Sequence, residues 1–279
     1  MVLRHFDLTG PLLFMRALLR RLLPYALRRE RLIWQRTVRN WFRRERFAQT
    51  ESESSAYTHL LWEHTSRLRK QVDPQWEAAQ QRKKRTLELA VRSLHSVCLR
   101  PGETFSFWRL VGRPARRRGY PPGLMLIDNR MVEHTAGGLC QLSNGLYWMA
   151  VNLGLPVTER HRHTYDLFPD DDRRVPFGAG ATVVYNYRDL QFTNPTGLVI
   201  HIQIRLTDEE VIFQACAERP LPYKIRIQER DHAFYRGSDG KTYRTNRLVS
   251  IRTPVASNAP DAEQVIALNT CEVLYPVEL

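Results

Sequence analysis

The chain is short of cysteine, of lysine and of long apolar runs, and each shortage removes a class of protein. Four cysteines (Cys98, Cys140, Cys216 and Cys271) stand far apart in 279 residues, with no Cys-x-x-Cys pair and no short Cys/His cluster. That spacing argues against a structural zinc site and gives no disulfide framework, which a chain of this length does not need. The longest uncharged stretch, Thr135 to Thr158, contains Gln141, Ser143, Asn144, Asn152 and four glycines, so it reads as loop, helix and strand and not as a membrane span. The early apolar run from Pro11 to Met15 is cut by Arg16, Arg20 and Arg21 and no small-residue cleavage site follows. No secretory signal is read from it, and the expected address is the cytoplasm. There is no P-loop, no GxGxxG and no HExxH, so no metal, nucleotide or other cofactor is expected.

Arginine is what the chain has in excess. The formal net charge is +13, and only five of the 42 basic side chains are lysine. Residues 1–50 hold twelve arginines against Asp7, Glu30 and Glu45, so nine of the thirteen excess charges lie there. A surface of this sign attracts polyanions: nucleic acid, anionic lipid headgroups or wall polymers. Nothing resembles a zinc finger, a helix-turn-helix or an RNA-stacking motif, which makes nucleic acid the weakest of the three. In residues 11–47 apolar side chains recur at helical spacing (Leu12, Met15, Leu19, Leu22, Leu23, Ala26, then Ile33, Trp34, Val38, Trp41, Phe42) with arginines opposite, and Pro24 divides two helices. Such a segment either packs on the domain or lies peripherally on an anionic membrane, here its inner face.

Three parts are read along the chain: a basic amphipathic helical segment (1–50), a helical part packed on the core (51–99) and an α+β domain (100–279). After the polar break Thr50–Ser55, a helix is expected with Tyr57, Leu60, Leu61, His64 and Leu68 on one side. Asp73-Pro74 signals the start of another, whose apolar face runs through Leu87, Ala90, Val91, Leu94 and Val97. From Arg100-Pro101-Gly102-Glu103 onward the pattern turns to strands: Thr104–Phe107, a hairpin about Asp128-Asn129-Arg130, Val157–Arg160, Ala181–Tyr187, Leu190–Thr193, Leu198–Leu206, Glu210–Ala215 and Tyr223–Gln228. Isoleucines alternate with His201, Gln203 and Arg205, which marks a half-buried antiparallel strand. Gly237-Ser238-Asp239-Gly240 closes a further hairpin. Amid the strands lies one central helix, Cys140 to Asn152, with Gly154 suited to its C-terminal cap. Helices first and strands after give an α+β class with a mostly antiparallel β domain.

The chemistry-bearing run is Gly137-Gly138-Leu139-Cys140-Gln141-Leu142-Ser143-Asn144. Paired glycines free the backbone at the mouth of a helix, and Cys140 falls on its first turn, where exposed N–H groups and the helix dipole favour a thiolate. Glu159-Arg160-His161-Arg162-His163 follows, bringing a base for a cysteine–histidine pair. Cysteine is equally a small buried residue suited to closing a tight turn. His163 is the preferred base and His161 the alternate. Asp189 is positioned to orient an imidazole or to serve as a turn aspartate. Gln141 has an amide for an oxyanion or for loop carbonyls. Gly137, Gly138, Ser143, Asn144 and Arg160 would form the substrate pocket around the thiol. Arg116-Arg117-Arg118 offers a phosphate or carboxylate clamp, or a solvated loop.

At Arg100-Pro101-Gly102-Glu103-Thr104-Phe105-Ser106-Phe107-Trp108-Arg109-Leu110-Val111 the sequence resembles the VanW family. The likeness continues through Gly138–Asn144 and Glu159–His163, and ends at Asn269-Thr270-Cys271-Glu272-Val273-Leu274-Tyr275-Pro276. His163 is the histidine that falls in the family-like Glu-Arg-x-x-His pattern. The resemblance implies a link to glycopeptide (vancomycin) resistance and peptidoglycan metabolism; it brings no assigned reaction. Many relatives carry a third glycine where this chain has Ala136, and alanine resists a positive φ. Two classes of function stand open. One is a thiol enzyme, an amide or peptide hydrolase or acyl transferase, in which Cys140 attacks and His163 shuttles the proton. The other is a non-catalytic accessory protein that binds a cell-wall precursor or a membrane-associated partner.

Overall fold

The structure, a computed structural model, describes residues 25–43, 45–51, 56–68, 77–127, 130–162, 165–166, 175–256 and 260–277. The chain divides into two compact units, 1–44 and 45–279. The described part of the first is one helix, α1 (Tyr25–Phe42), which begins just after Pro24; the helix expected before Pro24 lies outside the described residues. All the other described elements belong to the second unit.

Its centre is an antiparallel five-stranded sheet in the order β1 (Gln49–Thr50), β3 (Val97–Leu99), β10 (Ile200–Leu206), β11 (Glu210–Ala217), β2 (His59–Arg67). Ile202 faces Ala215 and Ile204 faces Phe213, so the alternation of β10 puts its isoleucines on the covered side. Helix α2 (Glu77–Leu94) buries Leu87, Ala90 and Leu94, with Glu77 in its first turn and Arg92 in its last, as the helix dipole favours. It stops short of the expected Val97: Ser96 takes φ 61°, and Val97 opens β3. The helix expected over Tyr57–Leu68 is instead β2. Its residues pair with β11 from Glu210 to Ala217, and that long-range ladder overrides the helical spacing of its leucines.

Helix α4 (Cys140–Asn152) forms over the expected span and buries Leu142, Leu146, Met149 and Ala150. Full burial of a leucine contributes about 1.5–3 kcal/mol. Gly145 lets the helix lie flat on β11, because a Cβ there would overlap the Phe213 ring. Gly154, at φ 67°, closes the end with its N–H on the Val151 carbonyl.

Smaller pieces complete the first half. A three-stranded sheet runs β4 (Thr104–Ser106), β9 (Gln191–Thr193), β7 (Val157–Glu159), and a hairpin pairs β5 (Pro122–Ile127) with β6 (Arg130–Thr135). Between β4 and β5 lie the short helix α3 (Phe107–Val111), capped by the Ser106 hydroxyl, and a 3-10 turn at Arg116–Arg118. The expected strand Ala181–Tyr187 does not form: this segment is a turn closed by a bridge between Val184 and Arg188. A four-stranded sheet ends the chain, in the order β12 (Tyr223–Arg236), β13 (Thr242–Pro254), β14 (Ala262–Val273), β8 (Tyr165–Asp166). The Gly237–Gly240 turn joins β12 to β13 as expected. Strand β12 runs eight residues beyond Gln228, and β14 had no signal in the alternation of the sequence. The whole is α+β.

Candidate functional site

The loop from β6 into α4 is built from three consecutive special backbones. Ala136 takes φ 65° despite its Cβ, against the expectation that alanine resists it; its N–H donates to the Pro121 carbonyl at 3.0 Å. Gly137 crosses the backbone of Gly123 on β5, and a Cβ at either position would overlap the other strand. Gly138 follows at φ 96°. Two glycines are therefore required here by close approach and by handedness.

Cys140 opens the helix, as the sequence indicates. The residue keeps some exposed surface, yet desolvation is the largest influence on its thiol and pushes its pKa above the usual value; the charge of Lys83 acts the other way. Sγ lies 4.0 Å from the Val183 carbonyl. Gln141 donates from Nε2 to the Ser66 hydroxyl (2.9 Å) and the Arg67 carbonyl (2.7 Å), tying the first turn of α4 to the end of β2. Its Oε1 is buried and has no hydrogen-bond partner among the described residues. An oxyanion needs a donor, and the amide N–H groups are already engaged.

The next polar residues turn toward the 177–184 segment. Ser143 donates to the carbonyls of Ala181 (2.6 Å) and Cys140 (3.2 Å), and Asn144 Oδ1 accepts the Ala181 N–H at 2.7 Å. Arg160, just after β7, reaches the same segment. Its Nε donates to the Gly180 carbonyl (2.8 Å), Nη1 to the Tyr147 hydroxyl (2.9 Å) and Nη2 to the Gly178 carbonyl. Burial pulls its pKa down, Tyr147 opposes that through charge and hydrogen bond, and the Arg162 charge adds to the lowering. So Ser143, Asn144 and Arg160 meet at one loop, residues 178–181, which they hold in place.

Of the two histidines, His163 lies outside the described residues. His161 Nε2 is 3.1 Å from Glu159 Oε1, which also accepts the Asp189 N–H at 3.0 Å. Asp189 is buried, and each carboxylate oxygen carries two donors: Trp108 N–H and Leu190 N–H on Oδ1, Ser106 hydroxyl and Gln191 amide on Oδ2. Burial raises its pKa, and the hydrogen bonds from Ser106, Gln191 and Trp108 work against that rise. These contacts make Asp189 the hub of the segment that includes Ser106 and Trp108. There Phe105 also stacks on Phe192 at 4.5 Å, and the Trp108 indole donates to the Arg188 carbonyl. In the arginine loop, Arg118 donates to the carbonyls of Val111 and Arg113.

One polar cluster went unread in the sequence. Arg244 on β13 is buried between the rings of Phe177 and Phe234, donating to Asp166 (3.1 Å) and to His232 (2.9 Å). Tyr275 donates to the same Asp166 oxygen at 2.9 Å, and burial followed by that carboxylate pushes its hydroxyl up to about 12. Beside it Asn246 donates to the Phe177 carbonyl and Asn269 donates to Asn246. Asn269 and Tyr275 fall in the C-terminal run of the resemblance, which was the one available signal. Among the described residues no group of three or more His, Cys, Asp or Glu is placed to hold a metal ion.

Two cavities lie away from Cys140. One of about 360 Å³ is lined by Pro195–Leu198, Arg219, Pro222, Tyr223 and Arg252. The other, an open groove of about 440 Å³, is lined by Arg160, Arg162 and Val265–Leu268 of β14. Arg162 is exposed there, and donates to the Leu268 carbonyl and to Asn269 at 3.3 Å.

Comparison with known proteins places these features in a family. Residues 82–216 match the family described as VanW like protein. Over 198 residues the chain is 28% identical to the vancomycin B-type resistance protein VanW of Enterococcus faecalis (strain ATCC 700802 / V583), covering 71% of this chain and 72% of that one. Over 108 residues it is 31% identical to the uncharacterized protein YoaR of Bacillus subtilis (strain 168), 39% of this chain and about a third (34%) of that protein. No solved structure matches. The matched region contains both the Ser106–Asp189 hub and the glycine loop leading to Cys140, and the chain belongs to the VanW family.

Proposed function

We propose that this chain is a non-catalytic accessory protein, linked through its family to vancomycin resistance, which binds a cell-wall precursor while Cys140 serves as a packing residue. The observation that carries the reading is the setting of the thiol: desolvation pushes its pKa above the usual value, whereas nucleophilic attack is favoured by the thiolate. The surrounding groups support it. Gln141, Ser143 and Arg160, which an acyl-transfer site would aim at substrate, spend donors on Ser66, Arg67, Ala181, Cys140, Gly178, Gly180 and Tyr147, and Asn144 accepts the Ala181 N–H. The groove beside Arg162 has the charge and the apolar floor, from Val265 to Leu268, to take a peptide that ends in a carboxylate.

The test pairs two measurements on the full chain. Iodoacetamide labelling of Cys140 is expected to stay slow near neutral pH, with a midpoint above that of a free cysteine. Titration with a soluble muramyl pentapeptide is expected to show binding that Cys140→Ser preserves and Arg162→Gln weakens by about tenfold or more, as loss of a charge-assisted hydrogen bond would. A thiol midpoint well below that of a free cysteine, or turnover of the peptide that Cys140→Ser abolishes, would establish the hydrolase or acyl-transferase reading instead.

A further inference from the structure

Helix α1 is cationic and leaves its apolar stripe uncovered. It carries Arg28, Arg29, Arg31, Arg36 and Arg39 against one acid, Glu30, which pairs with Arg29 at 3.3 Å. Leu27, Trp34 and Trp41 recur every seven residues, and an α-helix drifts only about 20° per heptad, so the three lie in one row along its length. Val38 borders the row. Leu27 is 56% exposed, Trp34 67% and Trp41 83%; Phe42 at the C-terminal end is 75% exposed. A row of two tryptophans and a leucine in open solvent has no role in the interior of the protein, and it is the kind of exposed apolar surface that marks an interaction site. The helix is too polar to cross a bilayer: no described helix is long and apolar enough.

We infer that α1 docks in the plane of an anionic lipid surface, with Leu27, Trp34 and Trp41 inserted among the headgroups and the arginines on its flanks reaching lipid phosphate. Charge chooses the occupant. Arg31 lies about 60° around the helix from Trp34, the middle of the row, and Arg28 and Arg39 lie about 120–140° round on the same side, by the 3.6-residue period. From there their long side chains extend along the apolar flank to the phosphate level. Tryptophan suits the depth at which an apolar ring meets a wet headgroup. A second copy of this helix would bring the same cluster of arginines against itself, which like-charge repulsion opposes.

Co-sedimentation of the full chain with vesicles of phosphatidylcholine containing 30 mol% phosphatidylglycerol tests this, with pure phosphatidylcholine as the comparison. The expected result is binding to the anionic vesicles that weakens at least about tenfold in Trp34→Ser with Trp41→Ser, since buried apolar area sets insertion strength. Arg28→Gln with Arg39→Gln should weaken it about fivefold per arginine. Trp34, Trp41 and Arg39 are exposed and Arg28 is half-buried, and circular dichroism would confirm the folding of both variants. Absence of binding to anionic vesicles overturns the inference, and so does binding that the tryptophan variant leaves unchanged. A dimer in size exclusion that the tryptophan variant dissolves, without vesicle binding, would assign the row to a second copy and overturn it too.

Discussion

In the five-stranded sheet the covered face is filled by Ile200, Ile202, Ile204, Val211, Phe213 and Ala215, against the leucines of α2 and α4. In the four-stranded sheet buried polar side chains, Asp166, Arg244, Asn246, Ser250 and Asn269, stand among the apolar Leu248, Val249, Ile251, Ala267 and Val273. The first arrangement is non-directional, and what it demands is volume. The second is directional: each donor must meet its acceptor, so it specifies one register and tolerates little. The family match, residues 82–216, ends before β12 begins, so it covers most of the apolar half and none of the β12–β13–β14 meander. The difference teaches where substitution should be graded and where it should be abrupt.

The largest effect is expected at Arg244. Arg244→Met leaves the Asp166 carboxylate buried without its cation, and removing one partner of a buried pair costs about 3–5 kcal/mol. Urea unfolding measures it. Combining Arg244→Met with Asp166→Leu should recover much of the loss; if the double variant is no better than the single, the pair's charge is not what the sheet depends on. In the apolar half, Leu146→Ala should cost about 2–5 kcal/mol through lost burial plus a cavity, with no second-site removal to restore it.

The smallest effect is a pH dependence at Asp189. Burial raises its folded pKa above the unfolded value, so the folded state keeps the proton to higher pH. Its contribution is present in full below the ordinary carboxyl range and is lost as pH rises through the folded value. Asp189→Asn fixes the neutral form and can still answer the Trp108 and Leu190 N–H groups with its carbonyl. The stability of the native chain minus that of the variant is therefore expected to fall with rising pH from about 4 upward. A difference that stays flat between pH 3.5 and 7 would show that the hydrogen bonds outweigh the desolvation.

These contrasts bear on what the sequence can show. Helix α4 was legible to the residue because its apolar period is flanked by glycines at both ends, and β10 because isoleucine alternates with polar residues. Leu60, Leu61, His64 and Leu68 satisfy a helical spacing as well as a short strand does, and only the distant ladder with β11 decides between them. Val183 and Val184 suggested a strand, but the segment bends so that Ala181 can meet Ser143 and Asn144. At the candidate site the grouping was legible and its direction was not. Spacing puts Gln141, Ser143 and Asn144 on the first turn of α4, but whether that turn faces a ligand or its own protein depends on where β2 and residues 177–184 pass. The buried Arg244 cluster joins residues 166, 232, 244 and 275, and no local pattern carries that connection.

The strand order of the five-stranded sheet also governs the timing of synthesis. β2 and β3 leave the ribosome early, yet their partners β11 and β10 begin at Glu210 and Ile200. At roughly 5–20 residues per second, about 5–30 s pass between the emergence of these strands and of the chain that completes them. Throughout that interval Val97, Leu99 and the apolar face of α2 have no sheet to cover them, whereas the β12–β13–β14 meander closes hairpin by hairpin as it appears. The nascent chain is therefore most exposed to aggregation in its first hundred residues, and holdase binding should concentrate there.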